Sequence, residues 1–172
     1  LSGKFTPLSN VRRAMAISMT QAHQQVVPAT IMDEANLHQW TGKQDITLRI
    51  IRALVDACQQ VPQLNDYYDG EQMASQHNEP INLGIAVDTE HGLYVPVLKN
   101  IADRDNHSLR ADIDRFKQQA QDRSIPQQDL KGATILMSNV GAIAGQYAAP
   151  VVTPPMVAII PKNPTAINCQ GK

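Results

Sequence analysis

A chain of 172 residues with a net charge of −1 and 42% apolar residues fits one domain with a hydrophobic core of its own. The near-neutral balance lacks the basic stripe of a nucleic-acid binder, and no apolar run approaches the length of a membrane span. The two cysteines, Cys58 and Cys169, make neither a disulfide framework nor a zinc motif, so a reducing compartment is expected. The opening residues Leu1 to Pro7 lack the charged-then-apolar order of a signal peptide. The chain starts without Met and reads as a fragment or a processed form.

From Asn10 to Gln24, the apolar residues Val11, Ala14, Met15, Met19 and Ala22 recur at helical spacing, with Arg12 and Arg13 off the stripe. Val26 to Leu37 reads as a strand, because Val27, Ala29, Ile31, Ala35 and Leu37 share one parity. After a polar connection, Thr47 to Gln60 predicts a second helix, capped by Thr47 and stopped by Pro62. Leu64 to Tyr68, Ile81 to Val87 and Leu93 to Leu98 read as strands. The last two flank the turn Asp88-Thr89-Glu90-His91-Gly92 and predict a hairpin, with Pro96 marking an edge or a bulge.

Ser108 to Gln121 predicts a third helix, capped by Ser108 and lined inside by Leu109, Ile113, Phe116 and Ala120. Ala133 to Met137 is a strand ending at Ser138-Asn139, and Val140 to Gly145 is a glycine loop. Val151 to Ile160 is strand-like, broken by Pro154-Pro155. Helices and strands mix without strict alternation, which favours a two-layer α/β fold with a mixed sheet.

Chemistry-bearing motifs are sparse. His23, His38, His77, His91 and His107 form no helical metal pair, and no metal site is expected. The chain has no glycine-rich phosphate loop and no Gly-x-Ser-x-Gly elbow. Ser138, at a strand end before a glycine loop, can present a hydroxyl to a developing oxyanion, or it can simply close a Ser-Asn turn.

Read in order, several segments resemble one family. They are Pro7-Leu8-Ser9-Asn10-Val11-Arg12-Arg13-Ala14-Met15-Ala16, Val27-Pro28-Ala29-Thr30 followed by Asp33-Glu34-Ala35-Asn36-Leu37 as a first strand, Val61-Pro62-Gln63-Leu64-Asn65, Asn82-Leu83-Gly84-Ile85-Ala86-Val87-Asp88-Thr89, Gly92-Leu93-Tyr94-Val95-Pro96-Val97 and Leu136-Met137-Ser138-Asn139-Val140-Gly141. Pro154-Pro155-Met156-Val157-Ala158-Ile159 completes the series. Together they resemble the catalytic (core) domain of the dihydrolipoyl acyltransferase component of 2-oxo acid dehydrogenase complexes. The hairpin pair with Ser-Asn-x-Gly, in that order, is the specific part.

The resemblance implies a two-layer mixed-sheet sandwich like chloramphenicol acetyltransferase, here with the final strands missing. It implies a homotrimer assembled into a larger core, with the other components of a dehydrogenase complex as partners and neither nucleic acid nor membrane. The location implied is the bacterial cytoplasm or, second, the mitochondrial matrix. No cofactor is implied in this domain; the substrates are coenzyme A and a lipoyl group, which exchange an acyl group. Ser138 maps to the oxyanion donor, while Asp88, Ser138 and Asn139 match positions that contact coenzyme A.

The family's general base, the His of His-x-x-x-Asp-Gly, has no counterpart here. The residues four places after the five histidines are Val27, Gly42, Ile81, Val95 and Ala111. Residues 1–160 therefore read as a partial catalytic domain, truncated at its C-terminus, and 161–172 as a tail outside the family pattern. The expectation is an acyltransferase domain inactive by itself. The alternative is a non-catalytic structural core subunit, and the third reading is an unrelated binding module.

Overall fold

The computed structural model describes residues 5–8, 10–37, 39–40, 42–139 and 148–162. Three helices are built as their apolar periodicity demands. α1 (Asn10–Gln25) buries only Ala22. α2 (Ile46–Gln60) buries Leu48, Ile51, Leu54, Val55 and Cys58, a stripe at the helical period. α3 (Asn106–Gln121) buries the four residues expected of it: Leu109, Ile113, Phe116 and Ala120.

The caps differ from the sequence expectation. Asp45, not Thr47, caps α2, its carboxylate accepting from the Leu48 amide at 3.2 Å. Asp105, not Ser108, caps α3, accepting from the Ser108 amide at 2.8 Å. In both cases the Asp lies just outside the helix with extended backbone, where a side-chain oxygen reaches the amide three residues on. Thr47 and Ser108 lie inside the first turn and have no such reach.

The strands are shorter than their hydrophobic runs. β1 (Tyr67–Asp69) and β2 (Ala74–Gln76) form an exposed two-stranded ribbon. The predicted strand from Leu64 begins instead as a 3-10 turn over Pro62–Asn65. The run from Ile81 splits into β3 (Leu83–Ile85) and β4 (Val87–Thr89), and the run from Leu93 into β5 (Gly92–Tyr94) and β6 (Val97–Leu98). β4 and β5 pair antiparallel as the expected hairpin, Asp88 opposite Leu93. Buried Pro96 sits at the break before β6, an edge strand, and its carbonyl still accepts from the Ile85 amide at 2.9 Å.

The main sheet has the order β6-β3-β7-β8, with β7 at Ile135–Asn139 and β8 at Ile159–Lys162. β6 runs antiparallel to β3, while β3, β7 and β8 are mutually parallel, so the sheet is mixed. Helices α2 and α3 cover one face, closing a core with Leu83, Ile85, Leu98, Ile135 and Met137. β8 straddles the 160/161 boundary drawn from sequence.

Two strand expectations fail. Residues 26–37 carry no strand, and Val27 and Ile31 are each 95% exposed. Parity alone does not make a strand; a neighbour must accept its ladder. Residues 151–158 contribute only a bridge from Met156 to Tyr67 before β8 begins. The glycine loop predicted at Val140 to Gly145 lies outside the described residues.

A buried polar clamp ties the β1–β2 ribbon to the start of the parallel strands. The Asn65 amide donates to the Asn78 carbonyl at 2.6 Å and to the Pro80 carbonyl at 3.2 Å. The Thr134 hydroxyl donates to Asn65 Oδ1 at 2.5 Å and accepts from the Asn82 amide at 2.9 Å.

Candidate active site

Ser138 sits near the C-terminal end of β7, one residue past the core residue Met137. Alternation places it with Leu136 on the face opposite the helices. That face is tight at its centre: a Cβ built on Gly84 meets Leu136 Cδ2 at 2.5 Å and Val95 Cγ1 at 3.1 Å. Toward Ser138 it opens, and the serine is half-buried. The ends of the neighbouring parallel strands flank it. Ser138 pairs with Pro161 of β8, and the Ala86 amide after β3 donates to the Met137 carbonyl at 3.0 Å. The carboxyl ends of parallel strands are where ligands collect in open α/β sheets. A hydroxyl fixed there, partly shielded from water, can donate to an oxyanion with little reorganisation.

Asp88 lies two residues beyond Ala86, in β4, exposed and opposite Leu93. It lines a cleft of about 430 Å³ between α1 and the hairpin, with Leu8, Val11, Arg12 and Gly92 among the walls. Ser138 is not in that lining. The structure thus brings Asp88 and Ser138 to the same end of the sheet without joining them in one cleft. The Asn139 backbone pairs with Lys162 in the β7–β8 ladder.

Gly92 makes the cleft as narrow as it is. Its φ of +130° suits glycine, and an added Cβ would meet Val11 Cγ1 at 2.8 Å. A second cavity of about 580 Å³ continues past Leu8, Val11 and Arg12 to Glu90, His91, Tyr94 and Arg123. An Arg123 guanidinium nitrogen lies 2.6 Å from His91 Nδ1 and 2.7 Å from Nε2. The sequence signalled Arg12 only as a charge off the apolar stripe, and gave no sign of Arg123.

Behind β8, Lys162 donates to the Thr47 hydroxyl at 2.6 Å. Burial there pushes its amine below the ordinary lysine range, against the opposing pull of the Asp45 charge. Burial likewise raises the thiol of Cys58, deep in the core and unsuited to nucleophilic work. Among the described residues no group of His, Cys, Asp and Glu could hold a metal ion, and no helix is long and apolar enough to cross a membrane.

A half-covered mixed sheet with two helices on one face defines a two-layer α/β domain, and Ser138 at the carboxyl end of a parallel strand marks its candidate site. The family model of the 2-oxoacid dehydrogenases acyltransferase catalytic domain matches residues 2–163. The chain belongs to this family. Among its relatives is the dihydrolipoyllysine-residue acetyltransferase component of the pyruvate dehydrogenase complex of Staphylococcus epidermidis. That protein is 30% identical over 164 residues, 87% of this chain and 38% of the relative. The Staphylococcus aureus protein of the same name is 31% identical with the same coverage. The chain therefore spans about two fifths of the length of these relatives.

Solved structures agree. A truncated catalytic core of the 2-oxoacid dehydrogenase multienzyme complex from Thermoplasma acidophilum superposes with a TM-score of 0.86 at 26% identity, covering 94% of this chain and 80% of that one. The dihydrolipoamide acetyltransferase of Azotobacter vinelandii gives 0.85 at 21% identity, over 93% of this chain and 72% of that one, a likeness of fold alone. The fold is that of these catalytic cores, the chloramphenicol acetyltransferase-like sandwich.

Proposed function

We propose that this domain takes part in transfer of an acyl group between the thiols of coenzyme A and a dihydrolipoyl group, within a bacterial, cytoplasmic 2-oxo acid dehydrogenase complex. The observation that carries this reading is the position of Ser138: half-buried, on the helix-free face, at the carboxyl end of a parallel strand. Attack of a thiolate on a thioester produces a tetrahedral oxyanion. Ser138 donates to that oxygen, and Asp88 and Asn139 contact coenzyme A. The thiol proton needs a base, because a thiol of pKa about 8.5 is mostly protonated at neutral pH. In the family pattern that base is the His of His-x-x-x-Asp-Gly, which the 172 residues do not contain. The domain needs no cofactor beyond its two substrates.

The site lies between subunits of a trimer in this reading, and the exposed apolar residues of the N-terminal third support such an assembly. The second reading is a core subunit that assembles without catalysing. Both readings are tested by assembling this chain with a subunit that carries the histidine but has its own serine replaced by alanine. Acyl transfer from acetyl-coenzyme A to dihydrolipoamide is then measured. The catalytic reading expects activity that Ser138→Ala lowers by about 100- to 1,000-fold. Equal rates for the parent chain and its Ser138→Ala variant leave the structural reading standing.

A further inference from the structure

Lys162 stands at the carboxyl end of the parallel strands but outside the site built on Ser138. β8 pairs Pro161 with Ser138 and Lys162 with Asn139. Alternation therefore sends the serine to the open face of the sheet and the lysine to the helix face. There the Lys162 amine reaches the Thr47 hydroxyl in the first turn of α2, at 2.6 Å. The residue is only partly exposed. Among the described residues no carboxylate bonds its ammonium. The acid beside it, Asp45, is committed to the Arg110 guanidinium and the Leu48 amide. On α3, Arg110 also faces Asp114 at 3.6 Å, and Lys117 faces the same carboxylate at 3.7 Å. Lys162 thus shares its surroundings with two further cations.

A desolvated amine beside other cations, bonded to a neutral hydroxyl, loses its proton more readily than a lysine in water. Burial is the main cause here, Arg110 and Lys117 act in the same direction, and Asp45 opposes them; the amine comes to lie below the ordinary lysine range. A neutral lysine amine attacks carbonyl carbon. The acyl thioester of the proposed reaction offers such a carbon.

We propose that Lys162 is a self-acylation site, its neutral amine attacking the carbonyl of an acyl thioester at the β8 edge of the sheet. The C–N bond forms and the C–S bond breaks. The nitrogen gives up one proton, the leaving thiolate takes one, and an amide and a free thiol remain. The choice of a thioester rests on the proposed acyl transfer, but the step does not use Ser138, which faces the other way. Acylation removes one cation from the junction of β8, α2 and α3.

The test incubates the full chain with S-acetyl-N-acetylcysteamine, a small thioester without a nucleotide, and counts acetyl groups at each lysine by peptide mass spectrometry. A short peptide with one lysine, in the same tube, is the standard. At a pH of about 7.5, Lys162 is expected to label at least about fivefold faster than the peptide, with a rate that levels off at a lower pH than the peptide's. Ser138→Ala is expected to leave that labelling unchanged. Asp45→Asn keeps a capping side chain and removes the opposing charge, so it is expected to raise the rate at least about twofold. Lys162→Arg is expected to end labelling at this position and to leave acyl transfer to dihydrolipoamide by the mixed assembly unchanged. Lys162 labelling no faster than the peptide, or labelling lost in Ser138→Ala, overturns the inference and leaves the proposed function standing. Labelling that persists while the mixed assembly shows no Ser138-dependent transfer overturns the proposed function alone.

Discussion

Single residues show where sequence and structure each speak. Gly92 combines a φ of +130° with a Cβ position 2.8 Å from Val11 Cγ1, so Gly92→Ala is expected to cost about 1–3 kcal/mol in urea unfolding. A neutral result there would mean α1 can move off the hairpin freely. Asn65 is 2% exposed and satisfies two carbonyls and a hydroxyl at once. Asn65→Ala strands those groups, and a loss of about 1–3 kcal/mol follows by the same measurement. Ser138 was legible because its neighbours Asn139 and Gly141 carry a motif and because an apolar strand that runs into Ser-Asn announces its own end. Asp88 was legible through the turn that follows it. Arg12 and Arg123 line one cavity although they stand 111 positions apart in sequence, a proximity that only the packing of α1 on the hairpin creates.

Elements repeat the contrast. The helices declare themselves, because the 3.6-residue period of Ile51, Leu54, Val55 and Cys58, or of Leu109, Ile113, Phe116 and Ala120, is written in the chain and needs no partner to be read. Strand ends depend on the neighbour, which is why 26–37 alternates without pairing and why the two long runs break at Ala86 and Pro96. The helix caps carry a pH dependence. At Asp45 burial raises the pKa, but the Arg110 hydrogen bond and the Leu48 amide outweigh it, and the carboxyl is held below its usual range. The Ser108 amide lowers Asp105. Burial opposes the same lowering at Asp112, where bonds from Arg115 and Arg104 prevail. All three carboxyls titrate lower folded than unfolded, so the unfolded chain takes up protons first as pH falls. Their stabilisation is complete above about pH 4 and is lost as pH drops through the folded values. Urea midpoints measured from about pH 6 to about pH 2.5 are expected to fall across that lower window. Asp45→Ala is expected to cost about 1 kcal/mol at neutral pH and to flatten the fall. A midpoint independent of pH across that window would mean that the two caps and the Asp112 ion pairs are not formed.

At the scale of the whole molecule, the N-terminal third is packed for contact with something else. α1 buries one residue, while Ile17, Val27, Ile31 and Met32 lie exposed. Apolar surface of this kind marks an interaction site. Light scattering is expected to find trimers or larger particles, and Ile31→Asp is expected to shift them toward monomer; a monomeric parent at high concentration would refute the assembly. The proposed catalysis would depend on the same contacts. In the proposed arrangement the serine comes from one subunit and the histidine from its neighbour, so a trimer built only from these 172 residues has three copies of Ser138 and no motif histidine. General base catalysis is worth about 10²- to 10⁴-fold, and acyl transfer by the 172 residues alone is expected to be slower by at least that factor than by a family member carrying both groups. Mixed with subunits that keep the histidine and lack the serine, the chain is expected to regain activity in proportion to the mixed interfaces formed. Activity of the chain alone at the family rate would overturn the mechanism, because one of His23, His38, His77, His91 or His107 would have to be the base. Replacing each in turn by Gln would identify it. His77 heads that series, since its Nδ1 already rests 2.8 Å from the Asp66 carboxylate, as an oriented imidazole requires. Yet His77 stands at the clamp beside Asn65, at the amino ends of the parallel strands, the wrong end of the sheet for a partner of Ser138 within the same subunit. Rescue of the base role by His77 would therefore require a neighbouring subunit to present it, which the same mixing experiment, repeated with His77→Gln chains, decides.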